Sequence, residues 1–175
     1  MTKDEFLKLN PCREAVEWLE DYTDMEKAWN ECERGDWLLW LVGKLSGKPG
    51  CEGRKKLVLC TCECARLALP HVKKGDTRPL KAIETAEQWA RNENGVTISD
   101  VNAAADAAET AAVAADAAAD AAAAYAAAAD AAYAAAYAAD AAEAAAVAAD
   151  VAAARGKVLK ECANIARNHY NFKEI

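Results

Sequence analysis

The feature that most constrains this chain is a strongly alanine-rich run at residues 103–154, interrupted mainly by acidic residues, tyrosine and valine. The run contains no glycine, no proline and no basic residue. Alanine is the strongest helix former, because it loses no side-chain entropy when the backbone becomes ordered. The run therefore predicts α-helix.

The length and the acidic pattern of this run predict more than one helix. A single helix would extend for about 75 Å, whereas a compact chain of this size has a radius of gyration of about 16 Å. At about 100° per residue, the early and the late acidic side chains fall on different faces, so one straight helix cannot keep both in water. The early group is Asp106, Glu109, Asp116 and Asp120, and the late group is Asp140, Glu143 and Asp150.

We therefore expect the run to break between Ala121 and Ala139, with Asp130 as one candidate N-cap. A continuous helix whose polar stripe winds around it is the alternative. The larger side chains of the run, which include Tyr133 and Tyr137 on one face, are expected to pack. A flat aromatic recognition face is the other interpretation.

Outside the alanine run, the sequence also predicts helices, so the fold class is all-α. We expect a multi-helix single domain over residues 1–175, with the Ala-rich region broken into two or more packed helices. Its parts are a Trp- and Cys-containing helical part (1–102), the Ala/Asp-rich helices (103–154) and a C-terminal helix (155–175).

Several helix boundaries follow from capping residues. Thr2 and Glu5 form a capping-box pattern, and Thr23-Asp24 marks a helix start. Gly35 is predicted to end one helix and Asp36 to cap the next. Ser99 or Asp100 is predicted to cap the alanine region. The segment from Trp37 to Leu45 is the most hydrophobic of the chain and is expected to be buried.

The segment from Arg54 to Leu69, ended by Pro70, predicts an amphipathic helix with two adjacent apolar strips. The strips are Leu57, Cys60, Cys64 and Leu67, and Val58, Cys62, Ala65 and Leu69. On a helix, Cys60 and Cys64 share a face while Cys62 points away, so the three do not predict a metal site. We expect no metal and no cofactor.

The net charge of −7 is unevenly distributed. Residues 1–102 carry −2, residues 103–154 carry −8 and residues 155–175 carry +3. An acidic helical face disfavours nucleic acid, which requires a positive footprint, and suits a basic protein partner. The candidate partner-binding residues are Asp106, Asp116, Asp120, Asp130, Asp140 and Asp150.

Seven cysteines without a signal peptide predict reduced thiols and a cytoplasmic protein. The alanine run carries a carboxylate every few residues, so no membrane span is expected. Neither His71 nor His169 has a recognisable catalytic partner, and the sequence predicts no enzyme.

Asp36 and Arg66 are embedded in apolar sequence, and a buried ion pair joining helices is the preferred interpretation.

Three segments and the C-terminal sequence resemble the immunity-protein-five-like domains of bacteria. These segments are Cys32–Leu41, Cys62–Pro70 and Arg78–Arg91, and the end of the chain at Glu161–Tyr170 is similar to the end of those proteins. The resemblance also extends to a variable Ala-rich region. It implies an immunity protein of a polymorphic toxin system and brings no catalytic residues.

The function we expect is non-catalytic binding, in which an immunity protein neutralises a cognate toxin by occluding it. One alternative is a phage- or mobile-element-borne binder of a small anionic ligand. Its candidate residues are Arg54, Lys55, Arg66, Lys73, Lys74 and Arg78. A second alternative is an ice-binding Ala-rich helical protein, although only Thr110 lies within the run. The sequence leaves the oligomeric state open.

Overall fold

In the computed structural model, residues 1–48, 50–72, 74–115 and 151–175 are described. All regular structure in these ranges is helical, which confirms the predicted all-α class. The described α-helices are α1 (Lys3–Leu7), α2 (Arg13–Leu19), α3 (Met25–Glu31), α4 (Gly35–Leu45), α5 (Glu52–Arg66), α6 (Arg78–Ala90), α7 (Ile98–Ala115) and α8 (Val151–His169), with 3₁₀ turns at Leu69–His71 and Phe172–Glu174.

Helix α5 is the central element because it is buried on two sides. Leu57, Cys60 and Cys64 face a first hydrophobic cluster built with helices α1–α4 and α8. Val58 and Cys62 face a second cluster, which α5 shares with α6 and α7. The two apolar strips predicted for this segment are confirmed in those positions, and they divide the cysteines between two cores.

Other helices pack against α5 on two sides. On one side α8 packs against both α4 and α5, and on the other side α6 packs between α5 and α7. The first turns of α7 enter the second cluster through Val101 and Ala105, which are buried. Helix α7 includes the first part of the alanine run, so the helical prediction is confirmed as far as Ala115.

Two predicted caps are confirmed. Thr2 and Glu5 form the capping box at the start of α1, and the Asp24 carboxylate accepts from the backbone N–H groups of Glu26 and Lys27 at the start of α3. The cap predicted at Ser99 or Asp100 is wrong by two or three positions. The Thr97 hydroxyl accepts from the Asp100 N–H group at 3.3 Å, and the Asp100 carboxylate accepts from the Thr97 N–H group at 2.8 Å.

The predicted boundary at Gly35 and Asp36 is also wrong. Helix α3 already ends at Glu31, and α4 begins at Gly35. Gly35 is instead the point of closest approach between α4 and α8. A Cβ atom at this position would lie 2.4 Å from the Cβ of Cys162, 2.6 Å from the Leu159 carbonyl oxygen and 2.7 Å from the Ala163 nitrogen.

Burial of the following segment is largely as predicted. Leu38, Leu39, Leu41 and Val42 of α4 are buried. Leu45, at the end of the helix, is 41% exposed, because α4 ends there and the chain leaves the core. The predicted break between Ala121 and Ala139 lies outside the described residues, as do Asp130, Tyr133 and Tyr137.

Replacement of Gly35 by alanine is expected to destabilise the protein by about 1–3 kcal/mol, as overpacking of a core typically does. The added Cβ would meet backbone atoms of α8, which cannot rotate away. Thermal or urea unfolding monitored by circular dichroism measures this loss.

Gly156→Ala is the matched control, because a Cβ at Gly156 meets nothing within 4 Å. This exposed position within α8 should gain about 0.5–1 kcal/mol when glycine is replaced by alanine. Equal effects of the two substitutions would contradict the close α4–α8 contact.

Candidate protein-binding face

Helices α2 and α4 bring a row of aromatic rings to the surface. The ring centroids of Trp18 and Tyr22 are 4.5 Å apart, and those of Trp18 and Trp37 are 5.8 Å apart. The guanidinium carbon of Arg34 lies 4.4 Å from the centroid of the Trp37 ring, within cation–π range. We call Tyr22, Trp18, Trp37 and Arg34 the aromatic ladder. All four side chains are half-buried.

At each end of the aromatic ladder, an acidic side chain accepts a hydrogen bond from the ladder residue. The Tyr22 hydroxyl donates to Oε2 of Glu31 at 3.1 Å. At the other end, Nε of Arg34 donates to Oδ1 of Asp36 at 2.8 Å, and its Nη2 donates to Oδ2. This hydrogen bonding to Asp36 raises the pKa of Arg34 above its ordinary value. These hydrogen bonds restrain the two ends of the aromatic ladder, and restraint of a contact surface before binding lowers the entropy that binding would cost.

The aromatic ladder lies in the most acidic part of the described structure. Residues 1–36 contain five basic and eleven acidic side chains, a net charge of −6, whereas residues 37–102 have a net charge of +4. Helix α2 and the residues that follow it contribute four exposed carboxylates: Glu14, Glu17, Glu20 and Asp21. A backbone hydrogen bond and a second one from Cys12 hold the pKa of Glu14 below its usual range.

An apolar cavity of about 40 Å³ lies behind the aromatic ladder. Its walls come from α1–α4 and from the C-terminal 3₁₀ turn. The lining residues are Phe6, Ala15, Trp18, Leu19, Met25, Ala28, Trp29, Cys32, Trp37, Leu38, Leu41 and Phe172. Trp18 and Trp37 thus present one surface to solvent and another to this cavity.

Trp, Tyr and Arg are the residue types that dominate the energetics of protein–protein contacts. The arrangement provides neighbouring aromatic rings, exposed carboxylates and an apolar recess. These are features of recognition, so the candidate protein-binding face comprises the aromatic ladder with the acidic residues around it.

The sequence did not predict this face, because the hydrophobic segment from Trp37 to Leu45 was expected to be buried, whereas Trp37 is half-buried. The available signal was the spacing of four between Trp18 and Tyr22, which puts the two on one side of α2 and its continuation. Their position within an acidic stretch was a second signal.

The predicted ion pair between Asp36 and Arg66 is wrong. Asp36 pairs with Arg34, as described above, and Arg66 forms a two-pronged contact with Glu87 of α6, with both N–O distances at 3.0 Å. Arg66 is in the last turn of α5, beside α6, whereas Asp36 is in the first turn of α4. The sequence does not reveal which helices are neighbours.

The predicted acidic face lies almost entirely outside the described residues. Asp106 is within α7, and the structure does not describe Asp116, Asp120, Asp130, Asp140 or Asp150. A role of these residues in binding stays a prediction.

The alternative anion site is not assembled in the described structure. Arg54 and Arg66 are twelve residues apart on α5, a separation of about 18 Å. Nε of Arg54 donates to the Gly47 carbonyl at 2.6 Å, and Lys55 contacts Glu52 and Asn92. The remaining members are the Asp76-paired Arg78, the exposed Lys74, and Lys73, which lies outside the described residues.

Arg78 also lines a groove of about 370 Å³ between α6 and α7. Lys81 lies on the same wall, and Asp100 contributes a carboxylate to the opposite one. Arg78 is already paired with Asp76, and its Nη2 donates to Oδ2 of Asp76 at 2.8 Å.

The cysteines are thiols with two different environments. Cys12 and Cys51 are exposed, and the other five are buried. Burial raises the pKa of Cys32 to about 11 and that of Cys62 well above its ordinary range. Raised thiol pKa values oppose nucleophilic chemistry, which uses the thiolate.

Among the described residues, no three His, Cys, Asp or Glu side chains are placed to hold a metal ion.

His169 has a partner that the sequence did not indicate. Its Nε2 atom lies 2.8 Å from Oε2 of Glu63, so the contact joins the end of α8 to α5.

No protein-family model, curated protein or solved structure matches the chain. None of the described helices combines the length and the apolar character that crossing a bilayer requires.

Arg66→Met is expected to lower the free energy of unfolding by about 1–2 kcal/mol, because it removes a charged hydrogen-bond partner from a largely buried carboxylate. The Glu87 side chain is only 13% exposed and would retain only Arg91, whose Nη1 lies 3.5 Å from Oε2 of Glu87. Chemical denaturation measures the change.

Arg13→Met is the control for this prediction. It removes a surface pair with Glu17 in which the two side chains are 84% and 59% exposed, and such pairs contribute less than about 0.5 kcal/mol. Equal losses in the two variants would show that Arg66 is no more important than a surface charge.

Stability is expected to fall at alkaline pH through the buried Cys32 thiol. The folded state keeps this thiol protonated up to about pH 11, compared with an ordinary pKa of 9.0. Its contribution is therefore complete below about pH 8.5 and is lost as the pH rises towards 11, an effect of about 2 kcal/mol. Denaturation curves between pH 8 and pH 11 measure the loss.

Cys32→Ala isolates this contribution from those of other alkaline groups, because it removes the thiol and leaves the rest unchanged. The variant should be less stable at pH 8 yet lose less stability by pH 11. The same pH dependence in wild type and variant would refute the assignment to Cys32.

Proposed function

We propose that this chain is a non-catalytic binding protein, an immunity protein that neutralises a cognate toxin by occluding it. The observation that carries the proposal is the aromatic ladder set in the acidic surface of residues 1–36. The resemblance of residues 32–41, 62–70 and 78–91 to immunity-protein-five-like domains supports the same function. The expected place of action is the cytoplasm.

The proposed mechanism follows from the charge and the rings together. A toxin that acts on an anionic substrate such as nucleic acid has a basic cleft, because it must attract phosphates. Glu14, Glu17, Glu20 and Asp21 would compete for that cleft and accelerate the encounter. The rings of Trp18 and Trp37 would then supply the desolvated contacts that slow dissociation.

The anion-binding alternative has less support. Arg54, Arg66 and Arg78 contact the Gly47 carbonyl, Glu87 and Asp76 respectively. Arg54 and Arg66 also lie at opposite ends of α5.

The proposal is tested first by genetic context and toxicity. Each open reading frame flanking the gene is expressed alone and together with this protein. We expect one of them to stop growth alone and to be tolerated in its presence, with a complex recovered by size-exclusion chromatography. A toxic neighbour that stays toxic, or flanking genes without any toxicity, would overturn the proposal.

Two substitutions then locate the contact. Trp18→Ala with Trp37→Ala should abolish protection and weaken the complex by about a hundredfold or more, as loss of interface anchors does. Trp89→Ala is the matched control, because Trp89 is also half-buried but belongs to the second cluster. Full protection by the double variant, provided that it is folded, would assign binding to another surface.

A further inference from the structure

We propose that the apolar cavity behind the aromatic ladder receives one small apolar side chain from a basic protein partner. The inference rests on the proposed function only in assuming a protein partner. It adds where that partner inserts and which chemistry its inserted segment has.

The size and the lining of the cavity define the class of side chain. A volume of about 40 Å³ is about three times the 10–15 Å³ that one water molecule needs. The walls are formed by aliphatic, aromatic and sulfur-containing side chains, which offer water almost no hydrogen-bond partner and favour an apolar group. The tip of a leucine, isoleucine or valine side chain therefore fits its volume and its chemistry.

The outer wall of the cavity is accessible and adaptable. Trp18, Trp37, Met25 and Phe172 are all half-buried, so each has a surface towards solvent. Met25 has an unbranched and flexible side chain, which can make room without backbone movement. Helices α2 and α3, which carry part of this wall, have only seven residues each. An incoming side chain can thus enter beside the ladder.

The charge around the entrance selects the partner. Residues 1–36 have a net charge of −6, and Glu14 lies on the Trp18 side of α2 because it is four positions from Trp18 on the same helix. Exposed Glu20 and Asp21 follow the end of α2 directly. A segment that places an apolar side chain in the cavity must pass these carboxylates. Lysine or arginine beside the inserted residue would pair with them, whereas aspartate or glutamate would be repelled.

The test uses synthetic amphipathic helices of about 18 residues and the full chain. The first peptide has leucine on one face and lysine on the other. The second has alanine in place of leucine, and the third has glutamate in place of lysine. Binding is measured by calorimetry, and contact is located by NMR of the indole N–H groups.

We expect the leucine–lysine peptide to bind and to shift the indole signals of Trp18, Trp29 and Trp37, which line the cavity. The Trp89 signal should stay unchanged. The alanine–lysine peptide should bind about tenfold more weakly, as expected when an anchor is lost, and the leucine–glutamate peptide should not bind. Equal binding of the first two peptides, or of the first and the third, would overturn the inference, as would shifts confined to Trp89.

The second part of the test fills the cavity by enlarging a side chain that lines it. Ala28→Val adds two methyl groups to the wall and should weaken the leucine–lysine peptide about tenfold without lowering the melting temperature. Ala90→Val, in the second cluster, is the control and should leave binding unchanged. If Ala28→Val is poorly folded, Met25→Phe fills the same wall from a half-exposed position. Unchanged binding in a folded, filled variant would refute the cavity as the site.

The two proposals fail separately. A toxin complex whose formation tolerates the filled cavity would end this inference and leave the immunity function. Peptide insertion without any toxic neighbour would leave the cavity as a binding site and end the immunity proposal.

Discussion

The fold depends on the burial of α5 from two sides. A helix of 15 residues with apolar side chains around most of its circumference cannot lie on a surface, so it needs neighbours on both faces. One face is covered by α4 and α8, which approach each other closely because position 35 has no side chain. The other face is covered by α6, which in turn supports α7. Cys60 and Cys62, only two residues apart, thereby belong to different cores.

Helices α1–α3 depend on this core but serve a different purpose. They are short, and their buried residues, such as Leu19 and Trp29, belong to the first hydrophobic cluster together with residues of α4. Their exposed residues are mainly acidic, so this layer combines a thin apolar attachment with a strongly charged surface. The tilted ring contact between Trp18 and Trp37 spans the boundary between the layer and the core. A cavity persists there because bulky rings on short helices do not fill the space completely.

The sequence allowed local features to be predicted and left the contacts between helices open. Thr2 and Asp24 were correctly identified as caps because capping uses residues two or three positions away. The two strips of α5 were correct because they follow from helical periodicity. Asp36 and Arg66 were wrongly paired because a partner for a charged side chain depends on which helices meet. Gly35 was read as a helix end, since a close approach to a distant helix leaves no local signal. The acidic aromatic face was missed for a related reason, because Trp37 joins Trp18 only after α2 folds onto α4.

The geometry of the two indoles has an optical consequence. Rings whose centroids are 5.8 Å apart with an interplanar angle of 59° are close enough for their electronic transitions to couple. Such a pair produces a circular dichroism couplet that an isolated indole lacks, and its intensity depends on the angle between the rings. The protein therefore contains an intrinsic spectroscopic reporter at its proposed contact surface, which would register rearrangement of α2 against α4 without any attached label.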